Sequence, residues 1–375
     1  MRQVARIRAW LTEAALPLWS SVGRDKDGGF VERLSLTGEP DYAAQKRVRV
    51  QARQIYVYSH AAILGLWPGG AELGQWGFEF LIRHALLEGG GVAHLLDRSG
   101  TVLDARRDTY DQAFVLYALG WLYRAGKDKA VADAIGVVAA AIERHLRHPY
   151  EGYLEDDRGG APRRQNPHMH LFEAFLSVYG ATKDQVYLDR AKAIYVLFRN
   201  RFYDRRHGAL REFFSEDWSP APGEPGRIVE PGHHFEWVWL LHRFAELAGE
   251  QVGAEARGLY DFGLRHGIEA ASGLAFDEVW VEGTSKLRTK RCWPQTEALK
   301  AELAIARAQG KPISPRADAL VDNLFRYYLD QPVAGGWNDA VDAANAPIAK
   351  TMPASTFYHV FLAFTEYLAA AQGAK

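Results

Sequence analysis

Glu230-Pro231-Gly232-His233-His234-Phe235-Glu236-Trp237-Val238-Trp239-Leu240-Leu241 is the stretch from which the rest of the chain is read. Pro-Gly marks a turn. The apolar run that follows, unbroken to Ala248, reads as a buried helix. His233 and Glu236 are i and i+3 on that helix and share a face. An imidazole and a carboxylate therefore stand together at the mouth of an apolar helix. Taken alone, the same residues equally describe a capped core helix with a first-turn acid favourable to the dipole. The rest of the chain separates the two readings.

Helical periodicity predicts twelve helices, with small hairpins between some of them. Glycine followed by apolar or aromatic residues punctuates them at Gly28-Gly29-Phe30, Gly90-Gly91-Val92, Gly152-Tyr153-Leu154, Gly208-Ala209-Leu210, Gly273-Leu274-Ala275 and Gly336-Trp337. Aligning Phe30, Val92, Tyr153, Ala209, Leu274 and Trp337 gives steps of 56 to 65 residues. A fixed period of that size is the signature of stacked supersecondary units. The second helix of each unit, opening near Gln51, Tyr110, His170, His233, Pro294 and Thr356, is apolar round its whole circumference. A helix of that kind is an inner helix. Six inner and six outer helices in alternation predict one all-α domain over 1–375, a closed (α/α)6 barrel with short hairpins at the loop-bearing end. An open solenoid is the alternative, but neither terminal helix looks like a polar-faced capping repeat.

In the aligned inner helices one level carries Arg53, Gln112, Glu173, Glu236, Glu297 and His359. Buried charge is costly unless paired or used. The ring therefore reads as a pocket floor, although a structural ion network would give the same pattern. His170 and Glu173 repeat the spacing of His233 and Glu236, and His359 follows a cap-like Pro353-Ala354-Ser355-Thr356 opening. Three histidines thus enter one mouth from three helices, each suited to moving a proton near neutral pH. Glu236 is the expected partner of His233. His234 is expected to support the helix start, and His94 sits in a glycine loop.

Composition narrows the function. A net charge of -1 offers no basic face for nucleic acid. With 11 Trp, 17 Tyr and 18 Phe, an aromatic-lined pocket for a sugar or other flat-faced ligand is expected. The single Cys292 excludes a disulfide framework. No run approaches the ~18 apolar residues that span a bilayer, and the N-terminus fits an amphipathic helix better than a signal peptide, so a cytoplasmic protein is expected. His168-Met169-His170 is an i, i+2 pair pointing to opposite sides of a helix, and neither His-Glu-x-x-His nor a nucleotide-binding glycine motif occurs. No metal and no cofactor are expected. A homodimer is left open. Two rivals remain. One is a glycoside hydrolase using two opposed carboxylates among Asp111, Glu173, Glu236 and Glu297; the other is a non-catalytic scaffold with a filled mouth.

The chain also resembles a known family over nearly its whole length. Gln51-Ala52-Arg53-Gln54, Tyr110-Asp111-Gln112-Ala113-Phe114, Asn166 to Ala174, Gly232-His233-His234-Phe235-Glu236, Trp293-Pro294-Gln295-Thr296-Glu297-Ala298 and Tyr358-His359 together resemble the N-acylglucosamine 2-epimerase superfamily, which includes mannose isomerases and sugar 2-epimerases. The resemblance implies the same barrel and metal-independent proton transfer through an enediol. It implies that His233 is a general acid/base partnered by Glu236 and that His359 is the second acid/base. His170 would help open the ring or bind substrate, and Arg53 would bind sugar oxygens. Tyr110, Asp111, Glu173, Trp293 and Glu297 would contact substrate. The forms around His233 and Trp293 look most like the mannose isomerase branch, which implies an unphosphorylated mannose/fructose-type aldose–ketose isomerase. A 2-epimerase of mannose, N-acylglucosamine or cellobiose is the alternative. Arg163, Arg164 and Arg227 lie in loops near the mouth, where they would meet a phosphate or sulfonate substituent if the substrate carried one.

Overall fold

A computed structural model describes residues 2–373 and has twelve helical segments. The first, α1, runs from Arg2–Ala9 through a π turn to Leu16–Ser21 and is an outer helix. Inner and outer helices then alternate: α2 (Val48–Ile63), α3 (Gly70–Ala85), α4 (Thr109–Gly126), α5 (Lys129–Ala141), α6 (Asn166–Thr182), α7 (Gln185–Leu197), α8 (Pro231–Ala248), α9 (Gly253–His266), α10 (Cys292–Ala308), α11 (Pro315–Leu324) and α12 (Thr356–Gly373). The even-numbered helices pack side by side, and α12 returns to α2, so the ring is closed. Their interiors are apolar and aromatic. Phe172, Trp237 and Phe198 stack in series between α6, α8 and the end of α7, each buried. Aromatic contacts of this kind add about 0.5–1.5 kcal/mol beyond the area they bury.

Short ribbons crown one end, where every inner helix begins. Local hairpins occur, as at Leu95–Leu96 with Val102–Asp104. More of the pairing joins neighbouring repeats: Arg33–Ser35 with Thr351–Pro353, Lys46–Arg47 with Leu95–Leu96, Arg163–Arg164 with Phe213–Phe214, Ile228–Val229 with Glu278–Trp280, and Lys290–Arg291 with Ala340–Val341. A bridge between Asp108 and Asp156 completes the circle.

The recurring glycine loops have a structural cause. In five of the six repeats the inner helix reaches back and holds the loop after the outer helix. The Gln51 side chain accepts from the Phe30 amide at 2.6 Å and donates to its carbonyl at 2.8 Å. Gln112 does the same to Val92, and Gln295 to Ala275. His168 accepts from the Tyr153 amide and His234 from that of Leu210, both through Nε2 at 2.9 Å. In the sixth repeat the Met352 sulfur takes this place on Trp337. Two corrections follow. The loop residues in register are Leu210 and Ala275, not Ala209 and Leu274, because those hairpins close Tyr203 on Leu210 and Ile268 on Ala275, one residue longer than Arg24 on Phe30. Gln112 belongs to these loop anchors and not to the pocket floor. Both ends of its amide are taken by the backbone.

Candidate active site

The mouth of the barrel encloses a cavity of about 240 Å³. Arg53 from α2, Tyr110 from α4, His170 from α6, His233 and Glu236 from α8, Trp293 from α10 and His359 from α12 all line it. The anchors explain why. Arg53, His170, Glu236 and Glu297 each lie two residues after a loop anchor, turned inward where the anchor is turned toward its loop.

Each histidine has its Nδ1 engaged by a carboxylate, which leaves Nε2 to face the cavity. His170 Nδ1 donates to Glu173 at 3.1 Å, the i, i+3 pairing expected from the sequence. His359 Nδ1 donates to Glu297 at 2.8 Å. His233 differs from expectation. Its Nδ1 donates to Glu212, 3.0 Å from both carboxylate oxygens, and Glu236 is not its partner. Glu212 belongs to the loop before α8, whose backbone runs alongside the first turn of that helix. From there it reaches Nδ1, whereas Glu236 is turned into the lumen. Gln165 fixes Glu212 at 2.9 Å and in turn accepts from the Trp237 indole. Nothing in local spacing could have found Glu212, because it precedes His233 by 21 residues and meets it only through the ribbon.

The surroundings drive the two outer histidines in opposite directions. Burial works against a charge on His233, but Glu212 and Glu230 outweigh it and hold the imidazole up to about 9. Burial, with Arg53 and Lys300 nearby, pushes His359 well below its ordinary value, and burial with Arg53 does the same to His170. Trp293 lies between His233 and His359, its ring 5.0 and 5.6 Å from theirs. At neutral pH one cavity therefore holds an imidazolium and a neutral imidazole whose Nδ1–H is already donated. This is the separation of acid and base that proton-transfer sites require.

Below the cavity floor lies a charged cluster. Lys300, fully buried, is 2.6 Å from Glu297 and faces Trp239. Glu297, Glu236 and Glu173 together keep it protonated against its burial. One ammonium cannot balance three carboxylates. Burial and the Glu297 charge push the Glu236 carboxyl well above its ordinary range, and neither of its oxygens has a hydrogen-bond partner. Burial likewise raises Glu173 to about 7, against the pull of Lys300 and of a hydrogen bond from the Tyr358 hydroxyl at 2.6 Å. Lys300 has a trace in the sequence, as a lysine three residues after Glu297 and so on the same face of the inner helix.

Of the residues expected to contact substrate, Arg53, Tyr110 and Trp293 line the cavity. Arg53 donates to the Tyr110 hydroxyl at 2.8 Å and to the Ser355 carbonyl. Glu173 and Glu297 stand behind the wall as the carboxylates of His170 and His359. Asp111 is also removed from it, fully buried and paired with Arg49 at 3.0 Å and His94 at 2.5 Å. Asn166, Asp339 and Thr356 also line the cavity. Arg163 is drawn away to the Tyr153 carbonyl and the face of Trp218, and Arg227 pairs with Glu282 in solvent. Among the described residues, four groups of three His, Asp or Glu side chains have ligand atoms within 4.8 Å of one another. In every one an imidazole Nδ1 already donates to a carboxylate of the same group, so the contacts are explained without an ion.

A family model described as N-acylglucosamine 2-epimerase (GlcNAc 2-epimerase) matches residues 28–363. The chain belongs to the N-acylglucosamine 2-epimerase family. Membership places it among carbohydrate isomerases and epimerases. Among relatives in this family, it is 38% identical to the mannose-6-phosphate isomerase of Rhizobium meliloti, over 97% of this chain and 96% of that one. It is 26% identical to the cellobiose 2-epimerase of Ruminococcus albus, over 92% of each. The barrel superimposes on the crystal structure of D-mannose isomerase with a TM-score of 0.87, at 23% identity and 97% coverage of both chains. The fold expected from the repeat is thus the fold of the N-acylglucosamine 2-epimerase family.

Proposed function

We propose that the protein is an aldose–ketose isomerase acting on a mannose-type hexose, with His359 as the base and His233 as the acid. The observation that carries this reading is the pair of buried histidines with opposite protonation around one cavity. His359 Nε2 removes the proton from C2 of the open-chain aldose. The electron pair forms the C1–C2 double bond, and O1 takes a proton from His233, giving the enediol. His233 then recovers the proton of the C2 hydroxyl as O2 becomes the carbonyl, and His359 returns its proton to C1, giving the ketose. Arg53, which has no carboxylate partner, supports the negative charge that develops on oxygen. Glu236, whose carboxyl is pushed well above its ordinary range by burial and whose oxygens have no hydrogen-bond partner, is placed to hydrogen-bond a sugar hydroxyl. Isomerisation is preferred to epimerisation because the more similar of the two relatives above is named an isomerase; epimerisation would use the same groups with the proton returned to C2 on its other face.

The test is NMR in deuterated water with mannose, glucose, fructose and N-acetylmannosamine, each also as its 6-phosphate. Deuterium at C1 of a ketose, or at C2 of an aldose, is expected. A product dominated by the 2-epimer would select the alternative. No exchange on any of these sugars would refute the reading.

A further inference from the structure

The cavity does not end at Arg53 and Tyr110. On their far side a second space of about 470 Å³ opens over the N-termini of α2, α4 and α6, sharing Arg53, Tyr110 and Asn166 with the first. Its walls carry Arg47, Arg49, Arg53, Arg106 and Arg164 with His94, and a single acid, Asp108. Asp108 is turned aside, capping α4 through the Tyr110 and Asp111 amides.

A network of mutually satisfied ion pairs would also gather arginines, so their partners decide the matter. Arg47 pairs with Glu32, Arg49 with Asp111 at 3.0 Å and Arg164 with Glu155 at 2.7 Å. None of these three acids lines the space, and each is buried behind it. Each arginine lines the space while its acid does not, and a guanidinium has five N–H donors in a rigid fork. Arg106 has only long contacts, 3.7 Å to Asp104 and 3.6 Å to Asp156. Arg53 has none with a carboxylate. Burial also pushes the Glu32, Glu155 and Asp108 carboxyls up, which weakens their claim on the charge. Three inner helices add the positive ends of their dipoles. Such a chamber fits a tetrahedral oxyanion, the geometry that arginine forks bind in bidentate fashion.

Its position says which part of a substrate would enter it. The chamber lies over α2, α4 and α6, while His233, Trp293 and His359 belong to α8, α10 and α12. A hexose with C1 and C2 at the histidines projects its far end, C6, toward the arginines. We propose that this chamber is an oxyanion subsite and that the substrate is a hexose carrying a phosphate on its terminal carbon. This departs from the unphosphorylated sugar expected from sequence, and it rests on the isomerase reading above.

The test compares kcat/KM for mannose, mannose 6-phosphate, mannose 6-sulfate and cellobiose, by NMR or coupled assay on the full chain. The 6-phosphate is expected to exceed mannose by about 100-fold or more, chiefly through KM, since several guanidinium groups would donate charge-assisted hydrogen bonds to it. The 6-sulfate, a monoanion, is expected between them; parity with the 6-phosphate would assign the subsite to any tetrahedral oxyanion and overturn the phosphate assignment. Inorganic phosphate should inhibit turnover of mannose 6-phosphate competitively. Arg106→Gln, which disturbs no short ion pair, should cut the ratio of the two kcat/KM values at least tenfold with an unchanged melting temperature. Turnover of mannose with no advantage for the 6-phosphate overturns the subsite and leaves the isomerase reading standing. Preference for cellobiose makes the chamber a second sugar subsite and also overturns it. Exchange on none of them removes both.

Discussion

Replacing Glu212 by glutamine removes the charge that keeps His233 protonated while leaving an acceptor for Nδ1. The rise of this imidazole from its ordinary 6.5 to about 9 corresponds to about 3 kcal/mol at 1.36 kcal/mol per pH unit. Glu212 is the largest of the acids that produce it, ahead of Glu230. A hydrogen bond to a charged group contributes about 1.5–3 kcal/mol, so E212Q should lower the His233 value by about one to two pH units. In the wild type, kcat/KM should fall as pH rises through about 9, because the acid form is lost; this limb reports the free enzyme. In E212Q the limb should move down by about one to two pH units, with activity at pH 6 largely kept. Stability follows the same sign. The folded value is raised, so the stabilisation is complete below 6.5 and is lost as pH rises through about 9. Urea unfolding between those limits should be steeply pH-dependent in the wild type and flatter in E212Q. Kinetic titration and an NMR titration of the imidazole check both. An alkaline limb that stays in place in E212Q but moves in E236Q would refute the assignment of Glu212 as the partner.

Three further outcomes follow from the buried contacts. Lys300→Met removes the buried ammonium beside Glu297, leaving that carboxylate only the His359 hydrogen bond, and should cost about 3–5 kcal/mol, read by chemical denaturation; a loss under about 1 kcal/mol would show that the cluster is already neutral. Gln112→Ala cuts both hydrogen bonds to Val92 and should destabilise by about 2–3 kcal/mol with kcat within about twofold, whereas a collapse of kcat in folded protein would return Gln112 to the pocket. Gly152→Ala forces a side chain onto a backbone with φ of +75°, 2.8 Å from Leu197 and 2.9 Å from His168, and should lower the melting temperature by several degrees for a cost above about 1 kcal/mol; an unchanged melting temperature would show that the loop relaxes freely.

The barrel was legible because its two signals are periodic. Inner helices such as α8 and α12 are apolar on every face, and each glycine loop has to turn back so that an inner side chain can grip it. The pairing of His170 with Glu173 was legible because both lie on one helix, where spacing fixes geometry. The partner of His233 was not, since a carboxylate on a separate ribbon leaves no local trace and Glu236 occupied the expected spacing. Gln112 was misplaced for a related reason. A step near sixty fits both the loop anchors and the pocket residues, and two positions along a helix are enough to turn a side chain from lumen to loop. The arginine chamber draws on three separate segments, so of the arginines expected near the mouth only Arg53 and Arg164 belong to it.

The ring closes where α12 meets α2. Gln54 donates to the Ala354 carbonyl, Arg53 to that of Ser355, and Arg33–Ser35 pairs with Thr351–Pro353. These contacts join residues 300 or more apart in sequence, among the longest loops the chain has to close, and such contacts form late because their chain entropy must be spent first. Arg53 stands on one side of that seam and His359 on the other. The cavity therefore has no existence in a partly assembled barrel, however complete its helices. On refolding from denaturant, catalytic activity should return as a distinct last event, after the helical signal has recovered.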